Sequence, residues 1–126
     1  LISGLLKNEK IISLDVGAQG GFNSDKFFPS KYNSFFKEIL VEPINSEAEK
    51  LENKEFLINK GLWSKKERKK LNILDNRLGS SSMYEPDEEF FDLHNLKKQD
   101  YNNYKITRSI EVECDTFSSK NEYFPG

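Results

Sequence analysis

Two carboxylates and a glycine-rich turn are the residues of this chain whose types and spacing can do chemistry together. Asp15 follows the apolar run Ile11-Ile12-Ser13-Leu14 and leads into Val16-Gly17-Ala18-Gln19-Gly20-Gly21, while Glu42 closes a second run, Ile39-Leu40-Val41, and precedes Pro43. Apolar runs without alternation suit strands covered on both faces, and glycines at a strand's carboxyl end let a ligand approach the backbone. In an open parallel sheet neighbouring strand ends line one crevice, so Asp15, the glycines and Glu42 are expected to face one ligand. A carboxylate there can accept hydrogen bonds from both hydroxyls of a ribose, which is the chemistry of a nucleotide site.

A dinucleotide fold is the nearest rival and fits less well. Gln19 stands where the second glycine of Gly-x-Gly-x-x-Gly belongs, and Glu42 lies 25 positions beyond Gly17 (42 − 17), against roughly 20 for a ribose-binding acid in that fold. Gly79-Ser80-Ser81-Ser82 can orient a substrate hydroxyl, hold a cofactor carboxylate or serve as an ordinary polar loop. Lys65, Lys66, Arg68, Lys69 and Lys70 read as a solvated hairpin tip. Asp87, Glu88, Glu89, Asp92 and His94 lack a recognisable ligand spacing, so no metal is predicted. His94 is the only histidine and has no identifiable nucleophile partner, and no catalytic residue is assigned. Cys114 falls in the apolar register of a strand and reads as a core residue.

The elements that must position these groups follow in order. The first strand runs from Ile11, and Asn23 to Phe28 starts a short helix that Pro29 stops. Ser30 caps a turn through Phe36, and Ile39–Val41 is the second strand. Ser46-Glu47-Ala48-Glu49 is a capping-box pattern that opens a helix to about Asn53, and Phe56–Ile58 is a third strand. The order is β-α-β-α-β, half of a doubly wound sheet with right-handed crossovers. Beyond Gly61, Leu62-Trp63 and Leu71–Ile73 read as an antiparallel hairpin, and Leu78–Tyr84 as loop. A short helix begins after Pro86 and runs through Phe90 and Phe91. Asp100–Asn103 is a turn, and Tyr104 to Cys114 alternates as a late strand with Arg108 as the exception.

At 126 residues the chain is one domain's worth. With 19 basic and 21 acidic residues, bulk electrostatics offer no hold on a nucleic acid. One cysteine excludes an intramolecular disulfide and suits a reducing cytoplasm, the location expected. No apolar run reaches membrane-spanning length, so no membrane partner is expected.

Asp15-Val16-Gly17-Ala18-Gln19-Gly20-Gly21, Val41-Glu42-Pro43, Gly79-Ser80-Ser81-Ser82 and Cys114-Asp115-Thr116-Phe117, in this order, resemble the FkbM-type S-adenosylmethionine-dependent methyltransferases. The resemblance covers nearly the whole chain from Ile11 onward. It implies an α/β fold with a doubly wound, Rossmann-like sheet and S-adenosyl-L-methionine as cofactor. It puts Asp15 and the Gly17 to Gly21 turn around the cofactor's methionine part, Glu42 with Pro43 at its ribose, and Ser80, Ser81 and Ser82 on the substrate side. The reaction implied is methyl transfer to an oxygen of a small-molecule or saccharide acceptor. Gln19 and Gly20 depart from the commoner Asp-Val-Gly-Ala-Asn-Ile-Gly, which bears on affinity more than on location.

On this reading residues 1–10 are a leader and 11–126 a partial methyltransferase domain holding the cofactor half. The family's next sheet strand would follow Gly126, so the chain by itself is expected to be a poor catalyst. Its first strand is then expected either to form a homo-oligomer through an exposed edge or to be covered by the late strand. The rival from another class is a non-catalytic binding or assembly module with a vestigial nucleotide site.

Overall fold

The computed structural model describes residues 4, 9–20, 29–52, 54–93 and 98–118. The helix expected over Asn23 to Phe28 lies outside these residues, as do Leu5, Leu6, Gly21, Asn53 and His94. The chain divides into two compact units, one of Leu1–Lys66 with Cys114–Gly126 and one of Glu67–Glu113.

The first unit is built on three parallel strands, β1 (Ile11–Val16), β2 (Phe36–Val41) and β3 (Leu57–Ile58), in the order β1-β2-β3. A 3-10 helix, Ser30–Phe35, leads directly into β2, and α1 (Asn45–Ala48) stands between β2 and β3. β2 is the central strand and is covered on both faces. Leu40 packs with Ala18 and Leu51 on one side, while Ile39 and Val41 pack with Ile58, Leu14 and Phe56 on the other. Its unbroken Ile39-Leu40-Val41 run is what a strand buried on both faces requires.

β1 does not share that coverage. Ile11, Ile12 and Val16 are 45%, 36% and 58% exposed, because β1 is an edge strand with only β2 beside it among the described strands. The late strand does not pair with it: β6 (Arg108–Asp115) belongs to another sheet, ordered β4-β6-β5.

That second sheet corrects the expected hairpin. β4 (Gly61–Leu62) and β5 (Glu67–Ile73) do not pair with each other, since β6 stands between them. In the first unit β4 runs parallel to the end of β6, Gly61 beside Cys114 and Leu62 beside Asp115, and Trp63 N–H donates to the Asp115 carbonyl at 2.9 Å. In the second unit Ser109 Oγ donates to Asn72 Oδ1, Thr107 N–H donates to the Ile73 carbonyl, and Arg68 faces Glu111. Residue numbers rise on one strand as they fall on the other, so β5 and β6 are antiparallel. A two-residue β4 is too short to hold a hairpin, whereas the alternating Ile110, Val112 and Cys114 run supplies a strand with two usable edges. The basic run is therefore no hairpin tip: Arg68, Lys69 and Lys70 lie within β5.

The second unit also holds a 3-10 helix, Asp75–Ser80, interrupted by a kink at Arg77, and two short helices, α2 (Glu88–Leu93) and α3 (Lys98–Asn103). The segment read as loop from Leu78 thus begins inside the 3-10 helix. Asp100–Asn103, read as a turn, is the end of α3, because Tyr101 places its ring 5.2 Å from Phe91 and its hydroxyl donates to Asp92 at 2.6 Å. Tertiary contact there outweighs the weak helix propensity of Asn and Asp. No helix among the described residues is long and apolar enough to cross a membrane.

Candidate functional site

The glycine turn is held by the strand next to it. Val16 and Val41 are partners in the β1–β2 register, which brings the chain leaving β1 against the last carbonyl of β2. That Val41 carbonyl accepts Gly17 N–H at 2.8 Å and Ala18 N–H at 3.1 Å, using both lone pairs. Gly17 and Gly20 have φ of +80° and +83°, a region that side-chain-bearing residues enter only with strain. Among the described residues, nothing stands within 4 Å of a Cβ placed at either position. The glycines are thus required by backbone conformation rather than by crowding from the described residues. Ala18 points the other way and is buried against Leu40 and Leu51, so it anchors the turn to the core.

Glu42 follows β2 directly, and its N–H continues the ladder to the Ile58 carbonyl at 3.1 Å. The residue is 3% exposed. Pro43 has no N–H and a fixed φ, so the chain bends and Ile44 supplies the next donor; Ile44 N–H binds Glu42 Oε1 at 2.8 Å. Asn59 Nδ2 donates to the Glu42 carbonyl at 2.7 Å and ties the end of β3 to the end of β2. Asp15, Gly17 and Glu42 therefore stand at the carboxyl ends of adjacent parallel strands.

Glu47 joins them unforeseen by the sequence. The expected capping box at Ser46 does not form: the N-cap falls two residues earlier, at Ile44, with no side-chain cap, and α1 ends at Ala48 rather than near Asn53. Glu47 is buried instead. Its Oε2 accepts Gln19 Nε2 at 3.3 Å and its Oε1 takes Lys50 Nζ at 2.6 Å. The longer amide of Gln19 thus reaches from the turn to the helix. The Glu47–Lys50 spacing on one helical face was the available signal, since i,i+3 partners meet.

Burial pushes the Asp15 carboxyl above its ordinary range. Burial does the same to Glu42; the Ile44 N–H opposes it, and the charges of Glu47 and Asp15 add to it. The three acids do not make a metal cradle: among the described residues no group of three or more His, Cys, Asp and Glu side chains is arranged to hold a metal ion. Acids beside a positive-φ glycine turn disfavour a pyrophosphate and suit a ligand that brings positive charge and hydroxyl donors.

Comparison with family models, with curated proteins and with solved structures finds no match to this chain. What the crevice can do rests on its own geometry.

Ser80, Ser81 and Ser82 belong to the second unit. Ser81 Oγ accepts Leu74 N–H and Ser82 Oγ accepts Tyr84 N–H, both at 3.1 Å, and Ser82 forms a backbone bridge with Asn72. These hydroxyls stitch their own loop. Ser80 and Ser82 also line a cavity of about 290 Å³ within that unit.

Proposed function

We propose that the chain is an S-adenosylmethionine-dependent methyltransferase domain of the FkbM type, transferring a methyl group to an oxygen of a small-molecule or saccharide acceptor. The observation that carries this reading is the meeting of Asp15, the Gly17 to Gly20 turn and Glu42 at the ends of two adjacent parallel strands. The residues fit such a cofactor. Two positive-φ glycines leave room for its methionine part against the backbone, and the nearby acids complement its cationic groups. Ile44 N–H orients the Glu42 carboxylate through Oε1, and on this reading Oε2 meets the ribose hydroxyls. The cofactor supplies an activated methyl group, and the protein's part is to hold it in line with the acceptor and exclude water.

A calorimetric titration of the chain with S-adenosylhomocysteine tests the reading. Saturable binding that weakens in Glu42→Ala supports it; no binding up to millimolar ligand counts against it.

One observation favours a non-catalytic assembly module as the second reading. β1 presents exposed Ile11, Ile12 and Val16 on an edge with no partner strand among the described residues, the arrangement that invites pairing between chains. Light scattering that shows an oligomer, together with no cofactor binding, would select this reading.

A further inference from the structure

The second unit contains a cavity of about 290 Å³ that the cofactor reading does not use. Its floor is aromatic and fixed. Phe91 is 7% exposed, its ring 5.4 Å from Tyr104 and 5.2 Å from Tyr101. Tyr104 is held in turn by Arg77, whose guanidinium lies 4.9 Å from the ring centroid and donates to the phenol oxygen. Two further rings stand at the mouth, Tyr84 at 70% and Phe90 at 52% exposure. Exposed rings beside a preformed aromatic floor form a slot for a flat apolar body.

The polar groups around the slot narrow the choice. Glu85 is paired with Lys70 at 3.3 Å, and Asp87 Oδ1 accepts the N–H groups of Glu89 and Phe90 at the start of α2. Lys70 offsets the Glu85 charge and two backbone N–H groups hydrogen-bond Asp87, so neither carboxylate depends on a ligand cation as its partner. Carboxylate oxygens nonetheless have several acceptor positions each and take further donors.

We propose that this cavity binds a small, neutral, planar aromatic molecule of one or two fused rings bearing an N–H or hydroxyl donor. The ring stacks against Tyr84 and Phe90 above the Phe91 floor, and its donor meets the Glu85 and Asp87 carboxylates. The volume has room for one or two fused rings. The inference rests on the second unit alone and stands whether or not the chain binds a cofactor.

The test is a titration of the whole chain, followed by the aromatic ¹H–¹³C NMR signals, with indole, benzofuran, benzylamine and methyl α-D-glucopyranoside as probes. Indole is expected to shift the Tyr84, Phe90 and Phe91 signals saturably and to bind more tightly than benzofuran, which has the same shape without the N–H. Tyr84→Ala and Phe90→Ala should each weaken indole by about threefold to tenfold. Both positions are exposed, and a melting curve confirms that each variant is folded; if one is not, the other decides. No saturable shift with indole, tighter binding of benzylamine or the glucoside, equal binding of benzofuran, or indole binding unchanged in a folded variant would each overturn the proposal.

Discussion

Replacing Glu42 separates its structural role from its proposed role in binding. In Glu42→Ala the buried Ile44 N–H loses its 2.8 Å acceptor. A buried donor stripped of its partner costs about 1–3 kcal/mol, which for a domain of this length lowers the melting temperature by about 3–10 °C. Glu42→Gln keeps an acceptor for Ile44 and removes a charge crowded by Glu47 and Asp15. The sign of its pH dependence follows from linkage. The carboxyl's value is raised above its ordinary 4.5 in the folded chain, so the folded state binds the proton more tightly than the unfolded one. That stabilisation is complete below 4.5 and is lost as pH rises through the raised folded value. Glu42→Gln should therefore match or exceed the parent above that window and lose this advantage below it. For binding, charge-assisted hydrogen bonds are worth about 1.5–3 kcal/mol each, so Glu42→Ala should weaken S-adenosylhomocysteine about tenfold or more and Glu42→Gln less. Thermal melts from pH 4 to 9 and calorimetry read both effects. An alanine variant as stable as the parent would refute the Ile44 hydrogen bond as a structural element, and unchanged affinity in a folded alanine variant would refute the ribose assignment.

Gly17→Ala should lower the unfolding free energy in urea by about 1–2 kcal/mol through its positive φ, since its Cβ meets none of the described residues within 4 Å; Gly17→Asn should cost less. Ile39, fully buried at 0% exposure, should lose about 2–5 kcal/mol as alanine and about 0.5–1.5 as valine, measured in the same way. Asp75 should behave oppositely to Glu42: Thr107 and Arg108 hold its carboxyl below the ordinary 3.8, so its contribution is present above 3.8 and is lost as pH falls through the lowered value. Acid melts of Asp75→Asn should lack that loss.

The legible parts were those whose causes are local. Ile39-Leu40-Val41 announced a strand covered on both faces, and its ending in Glu42 announced the crevice. The same logic applied to Ile11–Leu14 failed, because an apolar run says a strand can be covered and not what lies beyond it; β1 has an open side among the described residues. The capping-box pattern does not foretell the buried Glu47, whose Oε2 accepts from Gln19, 28 positions earlier in the chain. The alternation of Ile110, Val112 and Cys114 was visible, but partner choice between β4 and β5 is a non-local matter that periodicity does not encode. In α3, Tyr101 packs on Phe91, and no neighbour in sequence signals that contact.

The two hydrogen bonds on the Val41 carbonyl bear on the order in which the molecule folds. Gly17 finds its partner 24 positions later (41 − 17), so the turn is no local hairpin and cannot form ahead of the strands. Closing a loop of that length must come first, and parallel pairing of this kind is slow compared with a helical turn. The crevice and the β1–β2 ladder then arise in one event. In pulse-labelled hydrogen exchange the Gly17 and Ala18 amides should gain protection together with Leu14 and Ile39, and a ligand seated in the turn should slow the opening of the whole strand pair.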